Sequence, residues 1–301
     1  MQNQLIAPNS NWTILKLLEW TTNYFKSKGV ESPRASAEIL LAHALDLKRI
    51  DLYLRYDQPL CSEELQMYKA LIKRRARREP VAYILGFKEF WSLDLAINRD
   101  VLIPRPETES LVEAAIAVLA RGLNAAPKHI LDLGTGSGAI VLALASQQPK
   151  HFFFASDLYE EAVKVARHNA KRHGLGDRIH FFVGDWLEPL KGGKQLFDVI
   201  ISNPPYIRSG ILPDLQPEIY NYEPLSALDG DSDGLGSLRK IIGAAQPFLK
   251  RSGYLLLEIG YDQKDAVQKV INRCGLYDQV IFSKDYSGMD RVVEMRKKDV
   301  S

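Results

Sequence analysis

The 301-residue sequence predicts an α/β protein in which a small helical bundle and a β-hairpin precede a mostly parallel sheet covered by helices on both faces. From Trp12 to about Gly86, apolar residues recur with a period of about 3.6, which is typical of amphipathic helices. The next residues alternate apolar and polar side chains, as in a short hairpin. Continuous apolar strands then alternate with amphipathic helices, a pattern typical of buried parallel sheets. We therefore expect a bundle over residues 1–86, a linking hairpin over 87–103 and the sheet domain over 104–301.

The bundle is expected to contain four or five helices. Ser32 and Pro33 suit the N-cap and first turn of the second helix, and Ser62 begins a later one. The run "KRRARRE" (73–79) stands at a helix end, where cations favour the negative end of the dipole. We interpret it as a solvated cationic face, with contact to an acidic partner or to ribosomal RNA as the alternative.

The sheet domain is expected to begin with a helix from about residue 107 to residue 121. The expected core strands are "HILDLGT", "HFFFASD", "IHFFVGD", "FDVIISN" and "GYLLLEIG". Further helices are expected from Gly138, through Asn169 and near residues 238–249. The last segment, "DQVIFSKDYSGMDRVVEMRK", is typical of two strands around a polar loop.

Composition excludes several classes of protein. Lys and Arg number 39 against 37 Asp and Glu, a net charge of +2, whereas proteins that wrap long nucleic acids usually carry a larger basic excess. Cys61 and Cys274 fit no metal-ligand spacing, so we expect no metal site and a reducing compartment. No apolar run reaches the roughly 18 residues of a membrane span, and no targeting segment is recognisable. We expect a cytoplasmic protein that does not bind a membrane.

A glycine-rich turn follows the first core strand in "LDLGTGSGAI" (131–140). Gly134, Gly136 and Gly138 allow a sharp turn and let a ligand approach the backbone closely. The signal is weak by itself, since Gly134, Gly136 and Ala139 also satisfy the dinucleotide pattern. A turn that binds no ligand is a further alternative.

Acidic residues end the next two strands. Asp157 lies 23 residues beyond Gly134, where a carboxylate can accept hydrogen bonds from both hydroxyls of a ribose. Asp185 ends the third strand and Trp186 follows, so an adenine could pack on the indole while its amino group donates to Asp185. The alternative is a helix N-cap aspartate beside a core tryptophan. Because these strand ends share one edge of the sheet, where open α/β sheets bind ligands, we favour a nucleoside site.

The fourth strand runs into the corner Asn203-Pro204-Pro205-Tyr206. An amide or aromatic amine is a poor nucleophile because its lone pair is delocalised. The Asn203 side-chain oxygen and the Pro204 carbonyl could accept its two N–H groups, in bonds that strengthen as the nitrogen gains positive charge. The prolines stiffen the corner, and the Tyr206 ring offers a face for a flat group. The alternative is a proline strand stop with a capping asparagine.

Together these features resemble S-adenosylmethionine-dependent methyltransferases that act on a planar nitrogen. Nearly the whole chain, including the helical amino-terminal domain, resembles the glutamine N5-methyltransferases that modify the Gly-Gly-Gln motif of class I peptide-chain release factors. The motifs that carry this resemblance are "EPVAYILG" (79–86), "LIPRPETE" (102–109), "LDLGTGSGAI", "SNPPYI" (202–207), "YEPLSALDGDSDGL" (222–235) and "DRVVE" (290–294).

The resemblance implies a Rossmann-like class I methyltransferase sheet with an antiparallel terminal strand. It implies S-adenosylmethionine as cofactor, converted to S-adenosylhomocysteine, and a bundle that docks the release factor. The implied cofactor contacts are Gly134, Thr135, Gly136, Ser137, Gly138, Asp157, Asp185, Trp186 and Asn203. The implied substrate contacts are Asn203, Pro204, Pro205 and Tyr206, of which Asn203, Pro204 and Tyr206 take part in catalysis.

Four charged residues near these motifs have no assigned chemical role. Arg105 and Glu107 either shape the pocket or form a structural pair. Glu223 lies in the segment of about 30 residues after the corner, which is long enough to form a lid. Arg291 is expected to form a structural pair with one of two neighbours, Asp285 or Asp290.

Two other functions stay open at this stage. An N6-adenine or N2-guanine nucleic-acid methyltransferase could use the same corner, but it would need a base-reading domain with a wide basic surface. A non-catalytic S-adenosylmethionine-binding protein would be expected to lose Asn203 and Tyr206, which are both present. We therefore expect a monomeric enzyme that acts on release factors and binds no nucleic acid stably.

Overall fold

The computed structural model describes residues 12–121, 126–190 and 192–299, which group into two compact units. The first unit contains residues 12–86 and also Gln216–Tyr222. The second begins at Phe87 and contains the rest. The segment Gln216–Tyr222 is the difference from the predicted division, which left it in the sheet domain.

The first unit is a helical bundle. Within residues 12–86 it contains five helices: α1 (Ile14–Ser27), α2 (Pro33–Ala44), α3 (Arg49–Leu54), α4 (Ser62–Ala76) and α5 (Val81–Leu85). Pro33 occupies the first turn of α2 as expected. The helix α4 begins at Ser62, as expected, and its N-cap is Cys61, whose N–H donates to the Glu64 carboxylate at 2.8 Å. The core of the bundle includes Ile14, Leu17, Phe25, Leu40, Leu41, Tyr68 and Ile72.

The basic run at the end of α4 is only partly a solvated face, since Lys73 and Arg77 are exposed and other arginines are paired. Arg75 is only 4% exposed, and its guanidinium donates to Glu218 at 2.9 Å. Arg78 donates to the same carboxylate at 2.7 and 2.5 Å, while Arg74 donates to Glu79 at 2.8 Å through two nitrogens. The interpretation as a solvated face is therefore wrong for Arg75 and Arg78, whose side chains are 5% and 20% exposed. Arg75 is buried and needs a charged partner, whereas the Arg74 side chain is 42% exposed and pairs with Glu79 in contact with solvent.

Burial and ion pairing shift the pKa values of Arg75 and Glu218. Burial lowers the pKa of the Arg75 guanidinium against the opposing effect of Glu218. Burial alone would raise the pKa of Glu218, but the hydrogen bonds from Arg78 and Arg75 hold it below its ordinary value. The carboxylate is thus charged at neutral pH and matched by two cations.

The predicted hairpin is confirmed and opens the second unit. Strands β1 (Phe87–Phe90) and β2 (Leu93–Ala96) pair antiparallel. The two turn residues, Trp91 and Ser92, have φ angles of 53° and 58°, as a type I′ turn requires. The Asn169 side chain binds both backbone groups of Ala96, at 2.8 and 2.9 Å, and thereby holds the hairpin on the second unit.

The second unit is built on one large sheet. Its seven strands within the described ranges are β3 (His129–Leu133), β4 (Phe152–Asp157), β5 (Ile179–Val183), β6 (Phe197–Ser202), β7 (Leu249–Glu258), β8 (Tyr277–Lys284) and β9 (Asp290–Lys297). Their order is β5-β4-β3-β6-β7-β9-β8. In this sheet β9 pairs antiparallel with both neighbours and the other pairings are parallel. The predicted mostly parallel sheet with an antiparallel terminal strand is confirmed.

Helices cover both faces of the sheet. One face packs against α6 (Glu109–Ala120), α7 (Ala139–Gln147) and α8 (Glu160–Arg172), and the other against α9 (Gly236–Ala244) and α10 (Lys264–Cys274). Two expectations were wrong in detail. The helix expected near residues 238–249 ends at Ala244, and β7 starts at Leu249, before the expected "GYLLLEIG". The helix α10 was not predicted, although its buried residues Val267 and Ile271 are four positions apart, as on one face of a helix.

Between β6 and α9 the chain forms an excursion that is closed at its base. The Ile207 N–H donates to the Leu228 carbonyl at 2.9 Å, and the Gly230 N–H donates to the Ile207 carbonyl at 2.8 Å. The segment Gln216–Tyr222 within it belongs to the first unit. None of the helices in the described ranges has the length and apolar character needed to cross a bilayer.

Candidate active site

The carboxyl ends of β3, β4, β5 and β6 lie side by side in the sheet and border a single cavity. The register pairs Leu133 with both Ser156 and Ser202, so the residues that follow these strands meet at one edge. Seven of the predicted site residues line this cavity: Gly134, Gly136, Asp157, Asp185, Trp186, Asn203 and Pro205. The wall is completed by residues that the sequence analysis did not assign: Asp100, Val101, Leu102, Leu158, Tyr159, Ala162, Gly184, Pro224, Ser226 and Ala227.

The glycine turn has the backbone that its sequence requires. Gly134, Gly136 and Gly138 have φ angles of 69°, 55° and 84°, in the left-handed region that favours glycine. A Cβ on Gly138 would lie 3.0 Å from Leu142, so the close packing at the start of α7 also requires a glycine. Thr135 and Ser137 are buried and are not part of the cavity lining, so a contact to a ligand through their side chains stays a prediction.

A buried carboxyl lies beneath the turn. The Thr135 hydroxyl donates to Asp132 Oδ2 at 2.7 Å, while Asp132 Oδ1 has no hydrogen-bond partner among the described residues. Complete burial raises the pKa of Asp132 to about 7. The sequence analysis missed Asp132, although a carboxylate inside an apolar strand is a recognisable signal.

Asp157 braces the turn and also faces the cavity. Its Oδ2 accepts the Gly136 N–H at 2.9 Å, and its Oδ1 accepts the Tyr159 N–H at 3.1 Å. Burial raises the pKa of this carboxyl despite those hydrogen bonds. Each carboxylate oxygen has more than one lone pair, so Asp157 retains acceptor capacity toward a ligand.

The next strand end supplies a polar and an aromatic side chain. Asp185 is exposed and Trp186 is half-buried. Trp186 has a φ angle of 46°, which is uncommon for a bulky residue and turns the chain back at this edge. Its ring lies against Gly134, where an added Cβ would be 3.4 Å away. The glycine therefore also makes room for the indole.

Three neighbouring side chains form hydrogen bonds with the proline corner. The Asn203 Nδ2 donates to the Thr108 hydroxyl at 3.2 Å, and its Oδ1 has no hydrogen-bond partner among the described residues. The Tyr206 hydroxyl donates to Glu258 at 3.3 Å. Gln263 Nε2 donates to the Tyr206 carbonyl at 2.9 Å and to a carbonyl of the loop that follows at 3.0 Å. The corner thus presents a free amide oxygen on a rigid support.

Pro204 and Tyr206 are not part of the cavity lining. Pro204 is buried, and the Tyr206 ring packs against the apolar cluster around α9 and α10. Burial, with the neighbouring Glu258, raises the pKa of the Tyr206 phenol well above its ordinary value. A role for this ring in stacking a substrate stays a prediction.

The structure gives structural partners to three of the four charged residues left without a role. Glu223 Oε1 accepts from Arg105 at 2.5 Å, and its Oε2 accepts the Ile103 N–H at 3.1 Å. Glu107, in contrast, is exposed. Arg291 pairs with Asp285 at 3.1 Å, one of the two expected alternatives. The analysis missed Thr108, Glu258 and Gln263, and only Thr108 lies in a motif that was singled out, "LIPRPETE".

Known proteins match both parts of the chain. The family described as PrmC N-terminal domain matches residues 16–86, and a methyltransferase domain family matches residues 125–297. A release factor glutamine methyltransferase of Geobacter sulfurreducens is 46% identical, over 94% of this chain and 96% of that protein. Those of Vibrio cholerae and Rhodopirellula baltica are 42% and 37% identical, over 93% and 97% of this chain and 95% and 100% of theirs.

The chain belongs to the release factor glutamine methyltransferase family. The resemblance seen in the sequence motifs is thereby confirmed. The sheet is also similar to solved structures of more distant methyltransferases. A methyltransferase from Pyrococcus furiosus has a TM-score of 0.50 at 19% identity, covering 75% of this chain and 99% of that one. The hMettl16 catalytic domain has a TM-score of 0.57 at 18% identity, covering 76% and 81%. At such identities these two structures support the fold alone.

Members of the release factor glutamine methyltransferase family are methyltransferases, and this protein is therefore a methyltransferase. The polar side chains that line the cavity are carboxylates, the Asn203 amide and the hydroxyls of Tyr159 and Ser226. Within the described ranges, no group of three or more His, Cys, Asp and Glu side chains could hold a metal ion.

Proposed function

We propose that this protein transfers the methyl group of S-adenosylmethionine to the side-chain nitrogen (N5) of the glutamine in the Gly-Gly-Gln motif of class I release factors, with S-adenosylhomocysteine and one proton, lost from the methylated nitrogen, as the other products. The observation that carries the proposal is Asn203 at the cavity wall, where its Nδ2 donates to the Thr108 hydroxyl and its Oδ1 has no hydrogen-bond partner among the described residues. Support for the substrate comes from the family, whose members are named for the glutamine of a release factor.

The cavity residues suit a methyl donor that carries a ribose and an adenine. Gly134 and Gly136 line it without side chains, so a ligand can lie against the backbone. Asp157 would accept from the ribose hydroxyls, and Trp186 with Asp185 would hold the adenine. Thr135, Ser137 and Gly138 would complete the turn, with Asn203 at the far wall. When bound, S-adenosylmethionine supplies an electrophilic methyl group on a positively charged sulfur.

The corner would act on the glutamine by orientation and charge. Asn203 Oδ1 and the Pro204 carbonyl would accept the two N–H groups of the amide and aim its lone pair at the methyl group. As the nitrogen becomes cationic both hydrogen bonds strengthen, so they favour the transition state over the ground state. Pro205 stiffens the corner, and Tyr206 would border the flat amide. Such positioning contributes up to about 7–11 kcal/mol in favourable cases.

Replacing Asp157 by asparagine is expected to weaken cofactor binding by about tenfold to 150-fold, since charge-assisted hydrogen bonds contribute about 1.5–3 kcal/mol. Calorimetry with S-adenosylhomocysteine measures the effect. Asp177→Asn, on the exposed turn Gly176–Arg178, is the matched control and should leave the affinity unchanged. An unchanged affinity in Asp157→Asn would place the ribose elsewhere.

We further propose that the first unit docks the release factor. Support comes from apolar side chains that α3 exposes to solvent, with Ile50 60% and Leu54 74% exposed, one helical turn apart. Tyr53 and Tyr56, each 54% exposed, extend this patch. Exposed apolar patches often mark surfaces that bind proteins.

The double change Ile50→Ser with Leu54→Ser is therefore expected to lower kcat/KM for intact release factor about tenfold or more, as loss of a buried apolar contact does at an interface. Activity on a short Gly-Gly-Gln peptide should stay at the wild-type level, because the peptide lacks the surface of release factor that we propose binds the patch. Ile281→Ser, on an exposed strand position of the second unit, is the control. Equal losses on both substrates would contradict docking through this patch.

One labelling experiment tests the proposed function as a whole. The protein is incubated with methyl-labelled S-adenosylmethionine and with release factor, with release factor whose motif glutamine is replaced, or with RNA and DNA. Label should enter only the unaltered release factor. Label in RNA or DNA alone would instead support the adenine or guanine methyltransferase. Light scattering on the same sample tests the expected monomer.

A further inference from the structure

We infer that Glu223 is a positioning residue that joins two segments of the cavity wall and thereby sets the affinity of the cavity for the methyl donor. In the proposed function, on which this inference rests, that donor is S-adenosylmethionine. One segment precedes α6, and the other belongs to the excursion that follows the proline corner. The residues of the two segments that line the cavity are Asp100, Val101, Leu102, Pro224, Ser226 and Ala227.

These two segments have little regular secondary structure. Residues 101–105 form neither helix nor strand, and residues 225–227 form a single 3₁₀ turn. The strand ends on the opposite wall are held by the hydrogen-bonded ladder of the sheet, whereas a segment without a ladder depends on other contacts for its position. One such contact is the Leu228 carbonyl, which accepts the Ile207 N–H at 2.9 Å and holds one end of the second segment beside the corner.

The Glu223 carboxylate holds the other end. Its side chain is only 1% exposed. Oε2 accepts the Ile103 N–H at 3.1 Å, and Oε1 accepts from the Arg105 guanidinium at 2.5 Å. Ile103 directly follows Leu102, and Pro224 directly follows Glu223, so one carboxylate connects positions adjacent to both walls. A charged acceptor makes these hydrogen bonds stronger than neutral ones.

A wall that is complete before the ligand arrives lowers the cost of binding. When the two segments can separate, only a fraction of the molecules has the complete wall, and the apparent affinity falls by that fraction. Saturating ligand selects the complete wall, so the rate of the chemical step is then restored. Loss of the connection should therefore change KM and the dissociation constant and leave kcat nearly unchanged, the opposite of what we expect at Asn203.

Glu223→Gln tests this expectation at nearly constant shape. A glutamine has one acceptor oxygen and a donor NH₂ group, so it cannot accept from both Ile103 and Arg105. The affinity for S-adenosylhomocysteine, measured by calorimetry, should fall about tenfold, and KM for S-adenosylmethionine should rise by about the same factor, while kcat on release factor stays within about threefold. Glu89→Gln, at an exposed position of β1, is the matched control and should leave all three unchanged.

Hydrogen exchange of the Ile103 amide reports the connection directly. Without ligand this N–H should exchange at least about tenfold faster in Glu223→Gln than in the wild type, and S-adenosylhomocysteine should restore the protection. The amides of β3 and β6 should keep their wild-type rates, which separates a local effect from a general loss of structure.

Arg105→Met is a milder second variant that tests the inference even if Glu223→Gln does not fold. It removes one partner of the carboxylate and keeps the Ile103 N–H, and it should lower the affinity for S-adenosylhomocysteine about threefold or more. In the double variant the loss should be smaller than the product of the two single losses, because both changes break the same connection.

Wild-type affinity in the variants that fold, a loss of kcat with unchanged affinity, or fully multiplicative losses in the double variant would overturn the inference. The proposed function fails in a different way, namely when the wild-type protein does not label release factor. The affinity for S-adenosylhomocysteine and the exchange of the Ile103 amide are measured without release factor, so the two failures are distinguishable.

Discussion

Replacing Asn203 by alanine is expected to lower turnover on release factor by about 100-fold to 1,000-fold, the loss that follows removal of one preorganised hydrogen-bonding group at a reacting centre. The reason is the free Oδ1 at the cavity wall, which we propose accepts from the nitrogen as it becomes cationic. Single-turnover kinetics with saturating S-adenosylmethionine and release factor measure the effect. Asn272→Ala, on an exposed face of α10, is the matched control and should keep wild-type turnover.

Cofactor affinity separates two roles that Asn203 could have. If the side chain mainly serves the transition state, the affinity for S-adenosylhomocysteine should change by no more than about threefold while turnover falls. A loss of affinity as large as the loss of turnover would assign Asn203 to cofactor binding. Near-normal turnover would remove it as the orienting acceptor.

Replacing Glu218 by alanine is expected to lower the free energy of unfolding of the first unit by about 3–5 kcal/mol, because the change leaves a buried cation without its partner. The side chain of Arg75 is only 5% exposed and that of Glu218 is 11% exposed. Hydrogen exchange of the amides within residues 12–86 reports the stability of this unit separately from that of the sheet. Glu161→Ala on α8 is the control, since its side chain is 60% exposed and exposed ion pairs contribute little.

A second substitution distinguishes the unpaired charge from lost packing. Changing Arg75 to methionine in the Glu218→Ala background removes the orphaned cation and should recover part of the lost stability, as replacing both members of a buried pair usually does. Stability close to wild type in Glu218→Ala alone would mean that Arg75 and Arg78 do not depend on this carboxylate.

Local patterns in the sequence were enough to predict most of the helices and strands. The alternation around Trp91-Ser92 identifies the hairpin, and the apolar runs that become β3 to β6 identify buried parallel strands. The boundaries failed at the junction of α9 and β7. Four residues separate Ala244, the last residue of α9, from Leu249, the first residue of β7, and Pro247 in the 3₁₀ turn between them is a breaker signal that the prediction did not use.

The sequence by itself determined the order of the strands along the chain and the residues that end them. Since the carboxyl ends of parallel strands share one edge, it also determined that Gly134, Asp157, Asp185 and Asn203 would meet. The strand order and the meeting of the strand ends can be predicted because they depend on local periodicity and on the way parallel strands are connected. Both are visible in short stretches of the sequence.

Only the tertiary structure decided which distant polar side chains pair. Thr108 and Asn203 are 95 positions apart, and Arg75 and Glu218 are 143 apart. Thr108, Arg75 and Glu218 are buried. The cost of burying a polar group is large enough to require a partner, but it does not specify which residue supplies that partner. Folding makes that choice by bringing distant segments together, and a pattern read within one segment contains no information about it.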